Sequence, residues 1–140
     1  MSTGNHTFTI IKPCAVNSGY IGAILADIQR EGFEISAMKF MQMSQTQAEI
    51  FYIEHKDRPF YEPLVKFMAS GPIVVAILRR ENAVNVFRKL IGTTDPATAE
   101  EGTIRKKYAK NVRENAIHGS DCDENAIMEA NFFFSQCERF

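Results

Sequence analysis

The sequence lacks several features that define whole classes of protein. Its longest strongly apolar run, Ile73–Leu78, has six residues, whereas a transmembrane helix needs about 20. The N-terminal segment Met1–Phe8 is polar and has no apolar centre of the kind found in secretion signals. The three cysteines are odd in number and widely spaced, so they predict neither a disulfide framework nor a CxxC metal site. We therefore expect a cytoplasmic protein that does not use a membrane.

Net charge is also nearly absent. A value of −1 over 140 residues excludes a generally basic protein that coats nucleic acid. The charge is nevertheless uneven, because residues 79–113 carry nine basic and four acidic side chains, whereas residues 114–140 carry one and six. This asymmetry indicates either two solvated surfaces of opposite sign or an anion site within residues 79–113.

No low-complexity tract, internal repeat or linker divides the chain. Its length of 140 residues is that of one ordinary domain, and 45% of the residues are hydrophobic, enough for a sizeable core. The sequence therefore predicts a single domain over residues 1–140.

Strand and helix patterns alternate along the chain. Strands are predicted over His6–Ile11, ended by Pro13, Phe33–Met43, Ile73–Leu78 and Asn115–His118, the last as a short edge strand. Helices are predicted over Gly19–Glu31, Gln45–Glu54, Phe60–Ala69, Asn82–Ile91 and Asp121–Phe133. The segment Gly92–Arg113 has no steady period and is interpreted as a functional loop. This order predicts an α+β fold, a ferredoxin-like split βαβ sandwich with a four-stranded antiparallel sheet and helices packed on it.

Local signals add detail at three places. Ser44 and Gln47 have the spacing of a capping box at a helix start. Ser120 or Asp121 is expected to cap the last helix. Ile73–Leu78 is continuously apolar, which is typical of a central strand covered on both faces.

Glycine-rich phosphate loops are absent, since neither the P-loop nor the GxGxxG spacing occurs. A bound nucleotide would therefore have to be held by side chains. The candidates are Lys12, Arg88, Thr94 and Arg105, and arginine forks suit phosphate oxygens well. Taken singly, each also fits an ordinary role, such as a strand-end lysine or a surface residue on a helix.

A histidine and a carboxylate near the C-terminus form a second candidate group. Helical spacing puts Glu129 on one stripe with Cys122, Ala126 and Phe133, so its carboxylate faces inward. A buried carboxylate needs a partner, and His118 is the nearest candidate in the sequence. The pair is either a structural hydrogen bond or a device that fixes one imidazole nitrogen and leaves the other as a nucleophile.

The remaining histidines and aromatics are less specific. His6 and His55 share no ligand spacing with His118, so a three-histidine metal site is not expected. Tyr52 and Phe60 fit a core, but Phe60 follows a polar, turn-forming stretch. Its ring is therefore also a candidate for stacking on a base at an exposed lip.

The segment Asn115–Asp121, read Asn-Ala-Ile-His-Gly-Ser-Asp, resembles NxxHGSD, the active-site signature of nucleoside diphosphate kinases. The resemblance covers nearly the whole chain and involves several motifs in the correct order. The other matching segments are Thr9–Pro13, Lys56–Phe60, Ser70–Pro72, Gly92–Pro96 and Gly102–Arg105.

This resemblance implies a phosphotransferase with a ping-pong mechanism. His118 would take the terminal phosphoryl of a nucleoside triphosphate, typically ATP, and pass it to a nucleoside diphosphate. The resemblance further implies that Glu129 and Ser120 orient the imidazole. It places Tyr52 and Lys12 close to the transferring phosphoryl.

The resemblance also implies how the nucleotide and its metal are held. The implied nucleotide contacts are Arg88, Thr94 and Arg105 to the distal phosphates, His55 to the first phosphate, Lys12 and Asn115 to the sugar, and Phe60, Leu64 and Val112 around the base. Mg²⁺ would bridge the phosphates without direct protein ligands, with Asp121 contacting it through water. The resemblance implies a homo-oligomer, and the choice between a tetramer and a hexamer stays open. It implies no requirement for nucleic acid.

Two residues depart from the family pattern, and two other functions remain open. Cys14 stands where an acidic residue is common, and Cys122 where serine is common. One alternative is an RNA-binding module with aromatics on an open sheet face, although no Lys/Arg-Gly-Phe signature is present. The other is a scaffold protein that has lost its chemistry, against which the retained Lys12, His118 and Glu129 argue.

Overall fold

A four-stranded antiparallel sheet forms the centre of the structure, a computed structural model that describes residues 4–140. Residues 1–3 of the segment predicted to lack a secretion signal lie outside the described residues. The strands are β1 (His6–Ile11), β2 (Glu34–Met41), β3 (Ile73–Arg79) and β4 (Ile117–Gly119). Their order in the sheet is β2-β3-β1-β4, which confirms the predicted ferredoxin-like α+β fold.

Seven α-helices are distributed over both faces of this sheet in the described part of the chain. They are α1 (Pro13–Asn17), α2 (Ile21–Arg30), α3 (Gln45–Phe51), α4 (Tyr61–Met68), α5 (Ala83–Ile91), α6 (Ile104–Tyr108) and α7 (Asp123–Phe133). Two short 3₁₀ turns, Ile53–His55 and Gln136–Glu138, follow α3 and α7. No helix within residues 4–140 combines the length and the apolar character required to cross a bilayer.

The two central strands are buried on both faces. Ile73–Leu78 is the continuously apolar part of β3, and every residue in it is buried, as predicted. In β1, Phe8 and Ile10 belong to the core under α3, α4 and α7, whereas Ile11 belongs to the core under α2 and α5. A central strand with no exposed face explains why apolar residues can follow one another without alternation.

Helix α3 begins as its sequence predicts. The Ser44 hydroxyl accepts a hydrogen bond from the Gln47 backbone at 3.0 Å, and the Gln47 side chain accepts from the Ser44 backbone at 2.9 Å. The capping box is therefore confirmed. It satisfies two backbone donors that a helix start otherwise leaves without a partner.

The predicted cap of the last helix is wrong. Helix α7 begins at Asp123, two residues later than predicted, and Cys122 occupies the cap position without a side-chain hydrogen bond. Ser120 instead donates to Glu129, and Asp121 accepts from Asn125 at 2.5 Å. Both side chains are taken up by tertiary or later-turn contacts, so neither is left to cap the helix.

The longer elements differ from prediction by up to three residues at their ends, and the larger differences involve short elements. Pro13 follows the end of β1, as expected, but it also begins α1, a helix that the sequence pattern does not predict. The segment interpreted as one loop, Gly92–Arg113, contains the five-residue helix α6. Strand β4 spans Ile117–Gly119 and not Asn115–His118, although it does lie at the sheet edge.

Candidate active site

An open cleft of about 810 Å³ lies beside β4, between the α3–α4 region and the loops on either side of α6. Eight of the residues predicted from the sequence line it: Lys12, Tyr52, Phe60, Leu64, Thr94, Val112, Asn115 and His118. Residues separated by more than 100 positions in the sequence therefore meet at one surface.

The imidazole of His118 is held by a carboxylate behind it. His118 Nε2 lies 2.8 Å from Glu129 Oε1, and the same oxygen accepts a hydrogen bond of 2.6 Å from Ser120 Oγ. Ser120 is fully buried, so its hydroxyl keeps this carboxylate oxygen in place. No hydrogen bond within residues 4–140 uses His118 Nδ1, so the structure identifies Nδ1 as the nitrogen left free.

The backbone and aromatic neighbours of His118 restrict its movement further. His118 pairs with Ile10 across the sheet, and Thr9 Oγ1 donates to the His118 carbonyl at 2.7 Å. The rings of Phe51 and Phe8 lie 5.9 and 6.2 Å from the imidazole centre, that of Phe51 edge-on. A nucleophile at this position is therefore preorganised by a strand on one side and by aromatic rings on the other.

A strained backbone turn places the residues that precede His118. Ala116 has a φ of 75°, in the left-handed region, although it carries a Cβ atom. The Ile117 N–H donates to the Asn115 carbonyl at 3.0 Å, which closes a γ-turn around Ala116. The Ala116 carbonyl in turn accepts from the Lys12 N–H at 2.9 Å, so this turn fixes the backbone of Lys12. Such strain persists where the surrounding structure holds it, and it concentrates at functional sites.

Lys12 is buried although it carries a charge. It is 7% exposed, and no hydrogen bond within the described residues uses its ammonium group. Burial, with the nearby charge of Arg105, lowers the pKa of Lys12 to about 8. An ammonium group in this state gains strongly from an anion, because an anion restores the favourable interactions that burial removes.

Arg105 is the second buried cation, and backbone carbonyls hold it. Its Nη1 donates to the Gly92 carbonyl at 2.9 Å and its Nη2 to the Ile117 carbonyl at 2.7 Å. Its buried Nε has no partner. Burial, with the charge of Arg88, lowers the pKa of Arg105 to about 10, so it remains charged at neutral pH.

Arg88 and Asp121 lie at the outer side of this cationic group. Arg88, on α5, is exposed and close enough to influence the charge of both Arg105 and Asp121. A hydrogen bond from Asn125, together with Arg88, lowers the pKa of Asp121. Lys12 lines the cleft, whereas Arg105 and Arg88 lie behind its lining, each close to the next cation. Three neighbouring positive charges of this kind suit a polyphosphate.

The apolar end of the cleft is formed by partly exposed side chains. Phe60 is 44% exposed and Val112 is 55% exposed, and Leu64 lines the same wall. His55 packs against Phe60 with ring centres 5.3 Å apart. Asn115 lies at the base of this region with its Oδ1 buried and unpartnered. Phe60 therefore occupies a lip, the second of its two predicted positions, and a flat aromatic ligand can lie against it.

Tyr52 contributes a hydroxyl without a partner. Its side chain is 7% exposed, and its Oη is buried with no hydrogen bond within the described residues. Burial and the charge of Glu129 raise the pKa of Tyr52, so the hydroxyl stays protonated. It can therefore donate a hydrogen bond to a ligand oxygen in the cleft.

Some residues that shape the cleft are not predicted from the sequence. Asn111 Oδ1 accepts from the backbone N–H groups of Arg113 and Glu114 at 3.0 and 2.8 Å, which fixes the loop that presents Val112. Asparagine side chains commonly accept a hydrogen bond from the backbone two residues on, so Asn111 is itself the local signal of such a turn. Phe67 lines the floor without any corresponding signal in the sequence.

The donor set does not form a metal cage. No group of three or more His, Cys, Asp or Glu side chains within residues 4–140 is arranged to hold a metal ion. Asp121 is a single exposed carboxylate beside the cations. This arrangement fits Mg²⁺ that enters with phosphate oxygens and water as its ligands, since Mg²⁺ commonly uses few protein ligands at phosphate sites.

Comparisons with known proteins agree on one family. The sequence model of nucleoside diphosphate kinase matches residues 5–139. The chain is 56% identical to a nucleoside diphosphate kinase of Lawsonia intracellularis, covering 96% of this chain and 97% of that protein. It is 55% identical to the corresponding protein of Flavobacterium psychrophilum, covering 97% and 98%.

Solved structures show the same relationship. A nucleoside diphosphate kinase of Aquifex aeolicus superposes with a TM-score of 0.95 at 39% identity, covering 97% of this chain and 99% of that one. A halophilic nucleoside diphosphate kinase of Halobacterium salinarum in complex with CDP gives 0.92 at 34% identity, covering 98% and 91%. With the cleft, its cations and the held imidazole in view, these matches establish that the chain belongs to the nucleoside diphosphate kinase family.

Proposed function

We propose that this protein is a nucleoside diphosphate kinase in which His118 Nδ1 carries the phosphoryl group between nucleotides. The contact of 2.8 Å between His118 Nε2 and Glu129 Oε1 carries this proposal, since it leaves Nδ1 as the free nitrogen beside the cleft. Membership of the family supplies the reaction class. The family model spans residues 5–139, which supports a single kinase domain over residues 1–140.

The phosphoryl group is transferred in two steps. In the first, the Nδ1 lone pair of His118 attacks the terminal phosphorus of a nucleoside triphosphate. The bond from that phosphorus to its bridging oxygen breaks, and the nucleoside diphosphate leaves with the electron pair. In the second, the terminal oxygen of an acceptor diphosphate attacks the same phosphorus and Nδ1 departs. Glu129 stabilises the positive charge that develops on the ring during both steps.

The cations stabilise the charge on the transferring group. Phosphoryl transfer depends on positioning and on neutralising the equatorial oxygens. We assign this role to Lys12, Arg105 and Arg88, since each of these cations lies close to the next. Thr94 and Tyr52 add hydroxyl donors. Mg²⁺, when bound, supplies further positive charge to the phosphates, and Asp121 would hold its water shell.

The two ends of the nucleotide are recognised differently. Phe60 and Val112 present stacking and apolar surfaces to the base, and stacking tolerates any base. We assign His55, which packs against Phe60, to the first phosphate. We assign the buried amide of Asn115, together with Lys12, to the sugar hydroxyls. A structural relative in complex with CDP supports a nucleoside diphosphate in this cleft.

A labelling experiment tests the proposed function directly. The protein is incubated with γ-labelled ATP and Mg²⁺, separated from nucleotide, and treated with acid or base. We expect one label per chain that survives base but not acid, together with the parallel initial-rate lines of a ping-pong reaction. Intersecting lines and an unlabelled protein would instead require direct transfer between two bound nucleotides.

Glu129→Gln is expected to slow phosphorylation of His118 by about 10-fold or more, because the change removes the charge that supports the imidazole while keeping its shape. The measurement is the rate of label uptake from ATP in a rapid-quench experiment. Glu124→Gln, the same change at an exposed position of α7, serves as the control and should label at the native rate. A native rate for Glu129→Gln with a lowered melting temperature would show that the pair is only structural.

Phe60→Ala is expected to raise the KM for purine and pyrimidine nucleotides by a similar factor of about 10, since each base loses about 1–3 kcal/mol of stacking. Steady-state kinetics with ADP, GDP, CDP and UDP measure this effect. Phe140→Ala, at a ring that is 87% exposed, controls for loss of an aromatic side chain. A rise confined to one base would mean that Phe60 lies against a base-reading group.

Assembly and location complete the proposal. The edge strand β2 exposes Met38 at 50% and Phe40 at 65%, an apolar surface that supports a homo-oligomer. Light scattering of the intact protein distinguishes a tetramer from a hexamer. We place the protein in the cytoplasm, where the free thiols of Cys14, Cys122 and Cys137 remain reduced.

The RNA-binding alternative is disfavoured by the sheet. Both central strands are covered, and Phe8, the aromatic residue of β1, is fully buried. RNA-binding modules of this fold class stack bases on aromatic residues of an open sheet face. The helices on both faces leave no such surface on β1 or β3.

A further inference from the structure

A buried carboxylate network joins α2 to α6 away from the nucleotide cleft. Asp27 on α2 is 7% exposed, and no other acidic residue within residues 4–140 is as deeply buried. Its Oδ2 accepts hydrogen bonds from Lys107 Nζ at 2.5 Å and from Tyr108 Oη at 3.2 Å. Its Oδ1 accepts from Arg30 on the same helix. Both oxygens are thus engaged, and two of the three donors belong to the C-terminal end of α6.

The charge of Asp27 is maintained by these partners. Burial alone would raise the pKa of Asp27, but hydrogen bonds from Lys107, Arg30 and Tyr108 hold it below its ordinary value. The carboxylate is therefore ionised at neutral pH. Removing one partner of a buried, hydrogen-bonded charge leaves the others without compensation, so the network acts as one unit.

Helix α6 depends on such contacts for its position. It has five residues, and isolated helices of fewer than about 12 residues are not stable in water. At its start, Thr103 caps the helix and Ile104 is fully buried. At its end, Tyr108 packs on Tyr20 with ring centres 5.0 Å apart and bonds to Asp27. Asp27 is therefore the polar anchor of the C-terminal end.

Arg105 lies on this helix between its two anchors. It donates to the carbonyls of Gly92 and Ile117, which requires that the backbone of α6 be correctly placed. The packing there is close, because a Cβ atom on Gly92 would lie 2.7 Å from the Thr103 hydroxyl. A shift of α6 cannot be absorbed on that side and would move the guanidinium group.

We propose that Asp27 is a positioning residue for phosphate binding, which acts through α6 on Arg105 without touching the nucleotide. The inference rests on the proposed role of Arg105 in holding the distal phosphates. A displacement of about 1 Å at a group that contacts the reacting phosphoryl is enough to lower the rate substantially. Asp27 therefore acts on phosphate binding through the position of α6 and not through contact with the nucleotide.

A double-mutant cycle tests this inference, with kcat and KM measured separately for ATP. Asp27→Asn should lower kcat/KM by about 10–100-fold in the otherwise native protein. Arg105→Ala should lower it by about 10²–10³-fold. In the Arg105→Ala background, Asp27→Asn should change it by less than about 3-fold, because two residues that act through one group are not additive.

Two further variants make the test robust to unfolding. Tyr108→Phe keeps the ring that packs on Tyr20 and removes one hydrogen bond to Asp27, so it should give a smaller loss, again only when Arg105 is present. Glu138→Gln removes the carboxylate of a 2.8 Å ion pair with Lys39, remote from α6, and should leave both kcat and KM unchanged.

The outcomes separate the inference from the proposed function. Equal losses from Asp27→Asn with and without Arg105 would show a general structural effect and overturn the inference. Native kinetics for Asp27→Asn and Tyr108→Phe, beside a strongly impaired Arg105→Ala, would overturn it while leaving the phosphate site intact. A fully active Arg105→Ala would contradict the proposed phosphate site and the inference together.

Discussion

His118→Asn is expected to fold as the native protein does and to take no label from γ-labelled ATP. Its kcat should fall by at least about 10⁴-fold, because removing the nucleophile of a covalent mechanism eliminates the intermediate itself. Rapid-quench labelling and steady-state kinetics measure the two quantities. A melting curve close to that of the native protein would confirm that folding is preserved.

The structure supplies a matched control for this experiment. His6 begins β1, at the opposite end of that strand from Ile10, the residue that pairs with His118. His6→Asn should therefore be labelled to the native extent. Substantial turnover by His118→Asn would show that another group carries the phosphoryl or that none does. Transfer without any phosphorylated group would also give intersecting initial-rate lines.

Elements with strong local signals are predictable from the sequence alone. The continuous apolar run Ile73–Leu78 predicts a covered central strand, and the structure places it in β3 at the middle of the sheet. The Ser44 and Gln47 spacing predicts a capping box, and both hydrogen bonds are present. In each case the interaction that fixes the element lies within the segment itself or follows from burial of its whole length.

Elements of five residues or fewer are either missed or given shifted ends when they are predicted from the sequence. Helices α1 and α6 span little more than one turn, so no hydrophobic period can develop along them. Their positions depend on distant contacts, such as the bond from Lys107 to Asp27, 80 residues away in the sequence. For the same reason, the three-residue strand β4 is predicted in the right place at the sheet edge but with shifted ends.

The candidate site also contains features that the sequence predicts and features that it does not. Helical spacing predicts that the Glu129 side chain points inward. In the structure its Oε1 lies 2.8 Å from Nε2 of His118, the partner that the sequence indicates. The γ-turn at Ala116 has no such signal, because alanine does not favour a φ of 75°. Strain of this kind is imposed by tertiary structure, here by the hydrogen bond from the Lys12 backbone to the Ala116 carbonyl.

Burial of Lys12 beside the cleft lowers the stability of the ligand-free protein while it provides a cation for the proposed activity. The pKa of Lys12 falls from 10.5 to about 8, mainly through burial. Between these pH values the unfolded chain binds more protons at this position than the folded chain, so the contribution of Lys12 to stability rises with pH in that window. Below about pH 8 the folded, ligand-free protein bears the full cost of burying the charge, on the order of 3 kcal/mol.

Lys12→Met is therefore expected to change stability and activity in opposite directions. Methionine has a similar length and no charge, so the melting temperature of the ligand-free protein at pH 7 should rise by roughly 5 °C or more. Activity should fall by about 10²–10³-fold, because the ammonium group that we propose to lie beside the transferring phosphoryl is lost.

Calorimetry at pH 7 and at pH 10 distinguishes this explanation from simple repacking around Lys12. The stabilisation from Lys12→Met should be large at pH 7 and should shrink toward pH 10, where native Lys12 is already neutral when buried.

Lys66→Met, the same change at an exposed position of α4, should alter stability by no more than about 0.5 kcal/mol and leave activity unchanged. If Lys12→Met raises stability equally at both pH values, packing and not charge causes the increase. If the variant is less stable than the native protein at pH 7, the ammonium group of Lys12 is not a buried charge without a partner. In the proposed site the phosphates of the nucleotide supply the missing partner of Lys12. Saturating ADP should therefore raise the melting temperature of the native protein much more than that of the variant.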